Sequence, residues 1–515
     1  LQRNREGLSI SRRISNAFRD LKIDPVPITR KSLLLNPIFS DVEAIRQILK
    51  ISDRSNISRN RKNKSKAKRI AVHSHTLGIG GAERQVSILL RLLSKGKIKS
   101  DDFSLVTNEI PNNDDWGETY FPNIDDLGIE IFEYNKKPGF YGGWEKNENL
   151  ERILSHISPL KKRRILSLTS IFENGGFNIV HTWQDWCNIY GGIAAISSGV
   201  ESVILSGRTM PPSMKSRLQQ RSGRSYSEAY KLILGTNGVK MVHNSNCGSK
   251  EYSDWLAIPS ETFSVIHNGV ENVRKRSRNK KELDAIRKDL GIPRDGLIVG
   301  YVGRFNSDKR PWLFLAMAER TLMGGKSVES SLDLASWMKQ NGDAFGDYPA
   351  EHTYPREEGE LHFIMVGDGP QFDKARKIVR ESKALRDRVH LVGFSSEVEK
   401  YMGIFDCLVL TSKVEGLPNA IIEAQFSGVP VLTTNVGGAS ECILDGETGI
   451  VENDDSASKL SNSLVKILLD KEFRKLNTNI SLKEVKKALK QRDFSDRNRK
   501  ESPLLFVKGA VLVDT

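Results

Sequence analysis

The chain is poor in the residues that mark several common protein classes. Its 515 residues include four cysteines, Cys187, Cys247, Cys407 and Cys442. None stands in a Cys-x-x-Cys pair, which argues against a zinc site. Each lies in or beside an apolar run, as a reduced core thiol does, and that usage suits a reducing compartment such as the cytoplasm. No stretch approaches the roughly 20 unbroken apolar residues that a membrane-spanning helix needs. The chain begins at Leu1, so the lack of a leader peptide decides nothing. Basic residues are not interleaved with aromatics and no recognition motif accompanies them, which speaks against nucleic-acid binding.

What is present reads as a soluble globular chain, 38% hydrophobic and 28% charged, long enough for two or three domains. The net charge is +14, from 78 Lys and Arg against 64 Asp and Glu. Much of the excess is local. Arg54, Arg59, Arg61, Lys62, Lys64, Lys66, Lys68 and Arg69 crowd one stretch, interleaved with Ser and Asn. Such a run cannot fold by itself and reads as a solvated linker. The sharper reading is attraction to an anionic membrane face, at about 1 kcal/mol per basic residue.

Residues 1–66 therefore form a polar, basic leader, with one amphipathic helix expected near 42–51. The globular pattern then starts with the strand-like run 70–74, a loop Leu77-Gly78-Ile79-Gly80-Gly81, and a helical segment over 82–93. Strand, glycine loop and helix open a doubly wound α/β domain. Buried-strand candidates follow at 103–107, 177–181, 203–206, 241–244 and 263–267. Helical stretches separate several of them, which argues for a parallel sheet. Asn268-Gly269 is a turn signal and ends this domain, taken as 67–270. A charged connection at 274–281 leads to a second alternating series, at 297–302, 363–366, 389–392, 407–410 and 429–433, within a domain taken as 285–470. Residues 323–358 interrupt it with Gly, Ser, Asp, Pro and Glu and read as a surface insertion. Beyond 470 the sequence is a charged tail without clear pattern.

Two segments of the second series carry chemistry. In Gly303-Arg304-Phe305-Asn306-Ser307-Asp308-Lys309 a strand delivers a glycine. Arg304 and Lys309 follow, five positions apart, at the strand's carboxyl end, the edge where open α/β sheets bind ligands. Two cations there can neutralise a diphosphate, Arg as a planar fork and Lys as a point charge. They can equally be solvated loop cations. In Glu415-Gly416-Leu417-Pro418-Asn419-Ala420-Ile421-Ile422-Glu423 a helix is expected to start near Pro418, and the amides of Gly416 and Leu417 precede it, as in an anion site. Glu415 can reach a ligand's hydroxyls or cap the helix. Glu423, about one turn in, can accept from a ribose diol or form a surface salt bridge. No Asp-x-Asp cluster stands in a plausible loop, so no bridging metal is expected.

The ordered set is more specific than its parts. Gly303-Arg304-x4-Lys309, Val366-Gly367-Asp368-Gly369-Pro370, Val392-Gly393-Phe394, Glu415-x7-Glu423 and Asn435-Val436-Gly437-Gly438 occur in sequence. This resembles the donor domain of retaining GT-B glycosyltransferases of family four, the glycosyl transferases group 1. The resemblance extends to Gly80-Gly81-Ala82-Glu83-Arg84-Gln85 and to Val265-Ile266-His267-Asn268-Gly269-Val270, and it covers roughly residues 70–455. It implies two Rossmann-like domains facing a cleft. It implies that Arg304 and Lys309 bind the donor diphosphate, Glu423 the ribose and Glu415 the transferred sugar. The backbone of Val392, Gly393 and Phe394 would meet the nucleobase. Gly303, Gly80 and Gly81 would let backbone approach the donor, with Gly416, Leu417, Pro418 and Asn419 at the helix tip. The donor implied is a UDP-sugar, with GDP- and ADP-sugars as the other choices, and the acceptor a glycan or lipid-linked acceptor. Neither metal nor cofactor would be needed, because cations and helix amides stabilise the departing diphosphate. Retention would proceed by front-face attack, the donor phosphate accepting the acceptor's proton.

The match also departs from the pattern. His181 ends a first-domain strand where relatives often show a pair of histidines, and Trp183 takes the second place. His181 would contact the donor sugar or be a satisfied buried histidine. Asp185 reads as a cap or turn residue, and Arg208 as a contact to the acceptor or a loop-shaping side chain. Arg310 follows Lys309 where a glycine is common, and residues 470–515 show no clear sequence pattern for the helix that crosses back in relatives. The expected function is retaining sugar transfer in polysaccharide or glycoconjugate synthesis, in the cytoplasm or peripherally at the cytoplasmic face of a membrane. The alternatives are a degenerate nucleotide-sugar-binding subunit of a glycan assembly complex and a GT-B epimerase.

Overall fold

The computed structural model describes residues 42–50, 69–135, 157–270, 280–324 and 332–473, apart from short breaks at 97, 111–118, 215–216, 347–353, 356–358, 396 and 471–472. The basic run before Arg69, most of the connection at 274–281 and the tail beyond 473 lie outside the described residues. The chain divides into two compact units. The N-terminal unit takes the residues up to His243 together with Ser249–Ser264, and the C-terminal unit takes Asn244–Gly248 and the residues from Val265 onward.

The N-terminal unit is built on seven strands: β1 (Ile70–His73), β2 (Phe103–Thr107), β3 (Glu130–Glu133), β4 (Ile179–Trp183), β5 (Ser202–Gly207), β6 (Val239–His243) and β7 (Phe263–Val265). Their order in the sheet is β3-β2-β1-β4-β5-β6-β7, and the pairings from β3 to β6 run parallel. A parallel sheet needs cover on both faces, so its strands are apolar runs rather than alternating ones. All five residues of β2 are buried, for example. Helices supply the cover. Gly81–Lys95 buries Val86, Ile88 and Leu90. Pro159–Asn174 starts at Ser158, whose hydroxyl accepts from the Lys161 amide at 3.4 Å. It buries Ile165, Leu168 and Phe172.

Residues 42–50 are helical and belong to this core. Ala44, Ile45, Ile48 and Leu49, at i, i+1, i+4 and i+5, are buried in the same cluster as Ile165 and Phe172. The stretch that the sequence places within a polar leader thus supplies part of the N-terminal core. Arg69, the last residue of the basic run, is anchored as well. Its guanidinium donates to the Gly175 carbonyl, pairs with Glu130 and lies 4.9 Å from the Phe177 ring centroid.

The C-terminal unit holds six strands: β8 (Leu297–Val302), β9 (Leu361–Val366), β10 (Val389–Gly393), β11 (Cys407–Leu410), β12 (Val431–Thr434) and β13 (Gly449–Glu452). Their order is β10-β9-β8-β11-β12-β13, parallel throughout. The helix Pro311–Leu322 is buried almost all round, from Trp312 to Glu319. Each such large apolar side chain contributes about 1.5–3 kcal/mol on burial. The interruption at 323–358 is not a mere surface insertion. It carries a helix, Leu332–Gln340, that buries Leu334, Trp337 and Met338 against this core. The four cysteines are free thiols, with Cys187 and Cys407 buried. Among the described residues no helix is long and apolar enough to cross a membrane.

Candidate functional site

Each sheet reverses its strand order once, between β1 and β4 in the N-terminal unit and between β8 and β11 in the C-terminal unit. Outside the carboxyl ends of such strands an open α/β sheet has its ligand crevice. Gly303, Arg304, Lys309 and Glu415 follow the two strands at the C-terminal reversal, Gly80 and Gly81 follow β1 at the N-terminal one, and Val392, Gly393 and Phe394 lie at the end of the edge strand β10.

In the C-terminal unit β8 ends at Val302 and the chain runs through Gly303 and Arg304 to Lys309. β11 ends at Leu410, and the next loop reaches Glu415. The two loops meet, because Lys309 Nζ donates to Glu415 Oε1 in a close ion pair. Ser412 Oγ donates to the same oxygen at 2.6 Å. The Glu415 side chain is 8% exposed and that of Lys309 27%, so the pair is largely shielded from water and its attraction is stronger than on an open surface. Glu415 does not cap the following helix. Pro418 is the N-cap residue, no side chain caps it, and the helix runs Asn419–Phe426. Glu423 lies one turn into that helix, half-buried. Arg304 is exposed, and its carbonyl accepts from the Tyr301 hydroxyl at 3.2 Å.

The floor of this region is backbone laid against backbone. The Gly303 amide donates to the Val366 carbonyl at 3.1 Å, and the Phe305 amide to the Asp368 carbonyl at 2.9 Å. Gly367 has φ +138°, and a Cβ on it would stand 2.0 Å from the Gly303 oxygen. Only glycine permits that approach. Gly367 donates in turn to the Gly393 carbonyl at 2.8 Å, so the loops after β8, β9 and β10 lie side by side. Val392 and Gly393 close β10, and Phe394 follows, 44% exposed. On the other flank the Gly416 carbonyl accepts from the Gly438 amide at 3.0 Å. Leu417 is buried, and its carbonyl accepts from Asn268 Nδ2 at 2.9 Å. Asn268 Nδ2 also reaches Asn419 Oδ1 at 2.8 Å.

In the N-terminal unit Gly80 precedes the helix Gly81–Lys95 with extended backbone. A Cβ on Gly80 would meet the Glu83 carboxylate at 2.2 Å. Glu83 Oε1 accepts from Gln184 Nε2 at 2.9 Å. Gln184 follows β4 with φ +70°, so the glycine loop after β1 and the turn after β4 are tied together at this switch point. Gly81 is exposed. His181 Nε2 lies 2.9 Å from Ser206 Oγ, and its ring packs on Trp183 with centroids 5.0 Å apart. The Arg208 guanidinium lies 3.8 Å over the Trp183 ring and donates to Ser206 Oγ at 3.2 Å. Burial, and after it the Arg208 charge, lowers the His181 pKa to about 3, so the imidazole is neutral near pH 7. Asp185 accepts from two tyrosine hydroxyls, Tyr230 at 2.8 Å and Tyr252 at 2.6 Å.

Sequence reasoning noted Arg310 only as the residue after Lys309 where a glycine is common. In the structure it is 2% exposed, has φ +46° and ψ 60°, and sits just before Pro311 at the start of the long buried helix. Its guanidinium is held by Asp343 from the interrupting segment, at 2.9 Å. The missing glycine was the one available signal. A left-handed position filled by a non-glycine residue costs roughly 1–2 kcal/mol and must be held by other contacts. Among the described residues no group of three or more His, Cys, Asp and Glu side chains is arranged to hold a metal ion.

Comparison with known proteins converges with this geometry. Residues 344–481 match the model of the family described as glycosyl transferases group 1. The Vi polysaccharide biosynthesis protein VipC/TviE of Salmonella typhi is 27% identical over 418 residues, covering 78% of this chain and 66% of that protein. The chain therefore spans slightly less than two thirds of that relative's length. The Escherichia coli UDP-Gal:alpha-D-GlcNAc-diphosphoundecaprenol alpha-1,3-galactosyltransferase is 25% identical over 333 residues, covering 64% of this chain and 75% of that enzyme. Among solved structures, Anabaena HepE in complex with UDP and glucose superimposes with a TM-score of 0.57 at 15% identity, over 83% of this chain and all of the other. WaaG, a glycosyltransferase involved in lipopolysaccharide biosynthesis, gives 0.52 at 15% identity, over 81% of this chain and 98% of the other. These likenesses fix the GT-B fold.

Proposed function

We propose that this chain, whose residues 344–481 match the group 1 glycosyltransferases and whose fold is GT-B, moves a sugar from a nucleotide-sugar donor, UDP-linked, to a glycan or lipid-linked acceptor with retention of configuration. The observation that carries the reading is the Lys309–Glu415 pair at the strand-order reversal of the C-terminal sheet, with Arg304 in the same loop as the lysine.

The chemistry asks for that arrangement. Sugar transfer breaks the bond between the anomeric carbon and the diphosphate, and negative charge grows on the diphosphate as it leaves. Lys309 and Arg304 are fixed cations for that charge, and the amides at the tip of the helix Asn419–Phe426 add partial positive charge. Glu415 takes hydroxyls of the transferred sugar, and Glu423 the ribose diol. The packed backbone after β8, β9 and β10 leaves Val392, Gly393 and Phe394 for the base. In the retaining course the acceptor oxygen attacks on the face the diphosphate leaves. Its proton passes to a phosphate oxygen, so charge balances without a protein nucleophile. The UDP in the HepE complex and the UDP-Gal in the name of the E. coli relative support the choice of base. The acceptor class rests on the diphosphoundecaprenol in that relative's name and on the polysaccharide role in the name of the Salmonella one.

A thermal-shift series with UDP-, GDP-, ADP- and CMP-sugars tests the donor. The UDP-sugars should raise the melting temperature most, and a flat response to all four would sink the reading. NMR of the product then reads the anomeric configuration, where an inverted linkage, or a free isomerised sugar, contradicts it.

A further inference from the structure

We propose that Arg310 is a positioning residue: its buried guanidinium stitches the loop after β8 to the loop after β11 and so holds Lys309 against Glu415, with Asp343 of the interrupting segment as its counter-charge. The proposal rests on the functional reading above for what the pair does, but not for how it is held.

The stitches run in both directions. Arg310 Nε donates to the Thr411 carbonyl at 2.7 Å and Nη2 to the Ser412 carbonyl at 3.0 Å. The Thr411 hydroxyl points back, within 3.0 Å of the Lys309 carbonyl and 3.1 Å of the Arg310 carbonyl. The Lys413 amide donates to the Asp308 carbonyl at 2.7 Å. From β12, Thr434 Oγ1 donates to the Ser412 carbonyl at 2.8 Å. Residues 411 and 412 lie between the end of β11 and Glu415, so their carbonyls set where the Glu415 carboxylate stands. Ser412 also touches that carboxylate directly.

A guanidinium this deeply buried needs charge and hydrogen-bond partners. Nη1 has two carboxylates, Asp343 Oδ1 at 2.9 Å and Asp455 Oδ2 in closer contact. Asp343 is itself 8% exposed, and its other oxygen accepts from Trp312 Nε1 at 2.5 Å. The interrupting segment thereby reaches the phosphate-side loop through one carboxylate. A glycine at 310 would satisfy the left-handed backbone and supply none of these contacts. Arginine satisfies both demands at the cost of a less favourable φ, and lysine, a point charge without the planar fork, cannot span two carbonyls and two carboxylates.

The test compares wild type with Arg310→Gly, Arg310→Lys and Asp343→Asn. UDP is the titrant in calorimetry, and UDP release from UDP-glucose measures turnover. In Arg310→Gly turnover should fall by on the order of tenfold to a hundredfold, more than donor KM changes. Hydrogen exchange at amides 411–416 should speed up while the rest of the C-terminal sheet keeps its protection. Arg310→Lys should not rescue either readout, and Asp343→Asn should move both in the same direction by less. Wild-type turnover and exchange in Arg310→Gly would overturn the proposal. Should that variant fail to fold, Asp343→Asn decides, and unchanged exchange at 411–416 in it would be the overturning result. If the wild-type protein binds no nucleotide, the functional reading fails while the exchange arm still tests the clamp.

Discussion

At the scale of single residues the ion pair has a consequence for binding. Lys309 and Glu415 pair with each other, so a bound diphosphate would draw the lysine from the carboxylate or share it. Replacing Glu415 by Gln removes the competing charge and keeps an acceptor for Ser412. UDP should then bind several-fold tighter, since a charged hydrogen bond contributes roughly 1.5–3 kcal/mol, while sugar transfer falls because the sugar loses its anchor. Calorimetry and a transfer assay on the same variant check the opposed directions, and a joint loss of both would contradict them. A second consequence concerns acid. Burial lowers the pKa of His73, His181 and His243 in the N-terminal unit from 6.5 to about 3. The unfolded chain therefore binds more protons than the folded one between pH 6.5 and 3, and stability is lost as pH falls through that window. Differential scanning calorimetry should show the melting temperature dropping steadily below pH 6.5, and an unchanged transition down to pH 4.5 would refute this. Sequence gave the identities of these residues but not their partners. Arg304, Lys309, Glu415 and Glu423 stand out by order and spacing, whereas burial of Arg310 depends on Asp343 and Asp455, 33 and 145 residues away, and no local pattern reports such contacts.

At the scale of elements the close backbone packing beneath the site is the firmest structural demand. A methyl at Gly367 would need φ +138° and stand 2.0 Å from the Gly303 oxygen, a contact between backbones that no side-chain rotation relieves. Gly367→Ala should destabilise the C-terminal unit by about 1–3 kcal/mol and weaken UDP binding with it, measured by urea unfolding and calorimetry. Full stability in that variant would mean that the loops after β8 and β9 do not pack this way. The inner strands were readable because burial on both faces makes them short apolar runs, and the expected positions at 103–107 and 297–302 coincide with β2 and β8. β3, Glu-Ile-Phe-Glu, and β13, Gly-Ile-Val-Glu, escaped for the opposite reason. Both are edge strands, only partly buried and too short for the pattern to register. The helix at 332–340 was hidden inside a segment rich in turn formers. Its buried Leu334, Trp337 and Met338 make the right spacing, yet they amount to barely two turns.

At the scale of the whole molecule the two parallel sheets were readable, because strand, glycine loop and helix recur in both halves in a fixed order. For the basic stretch before Arg69 we propose a contact to anionic lipid. Flotation with vesicles of increasing phosphatidylserine content should carry more protein with each increment, less so at high salt, and flotation indifferent to anionic lipid would remove that part. The account as a whole stands on a diphosphate held where the C-terminal sheet reverses its order. Calorimetric titration of UDP into the wild-type protein and into Lys309→Ala tests it most directly. One UDP should bind per chain, and loss of the lysine should weaken it by roughly tenfold to a hundredfold. No heat with the wild-type protein, or equal affinity in the two, would contradict the account.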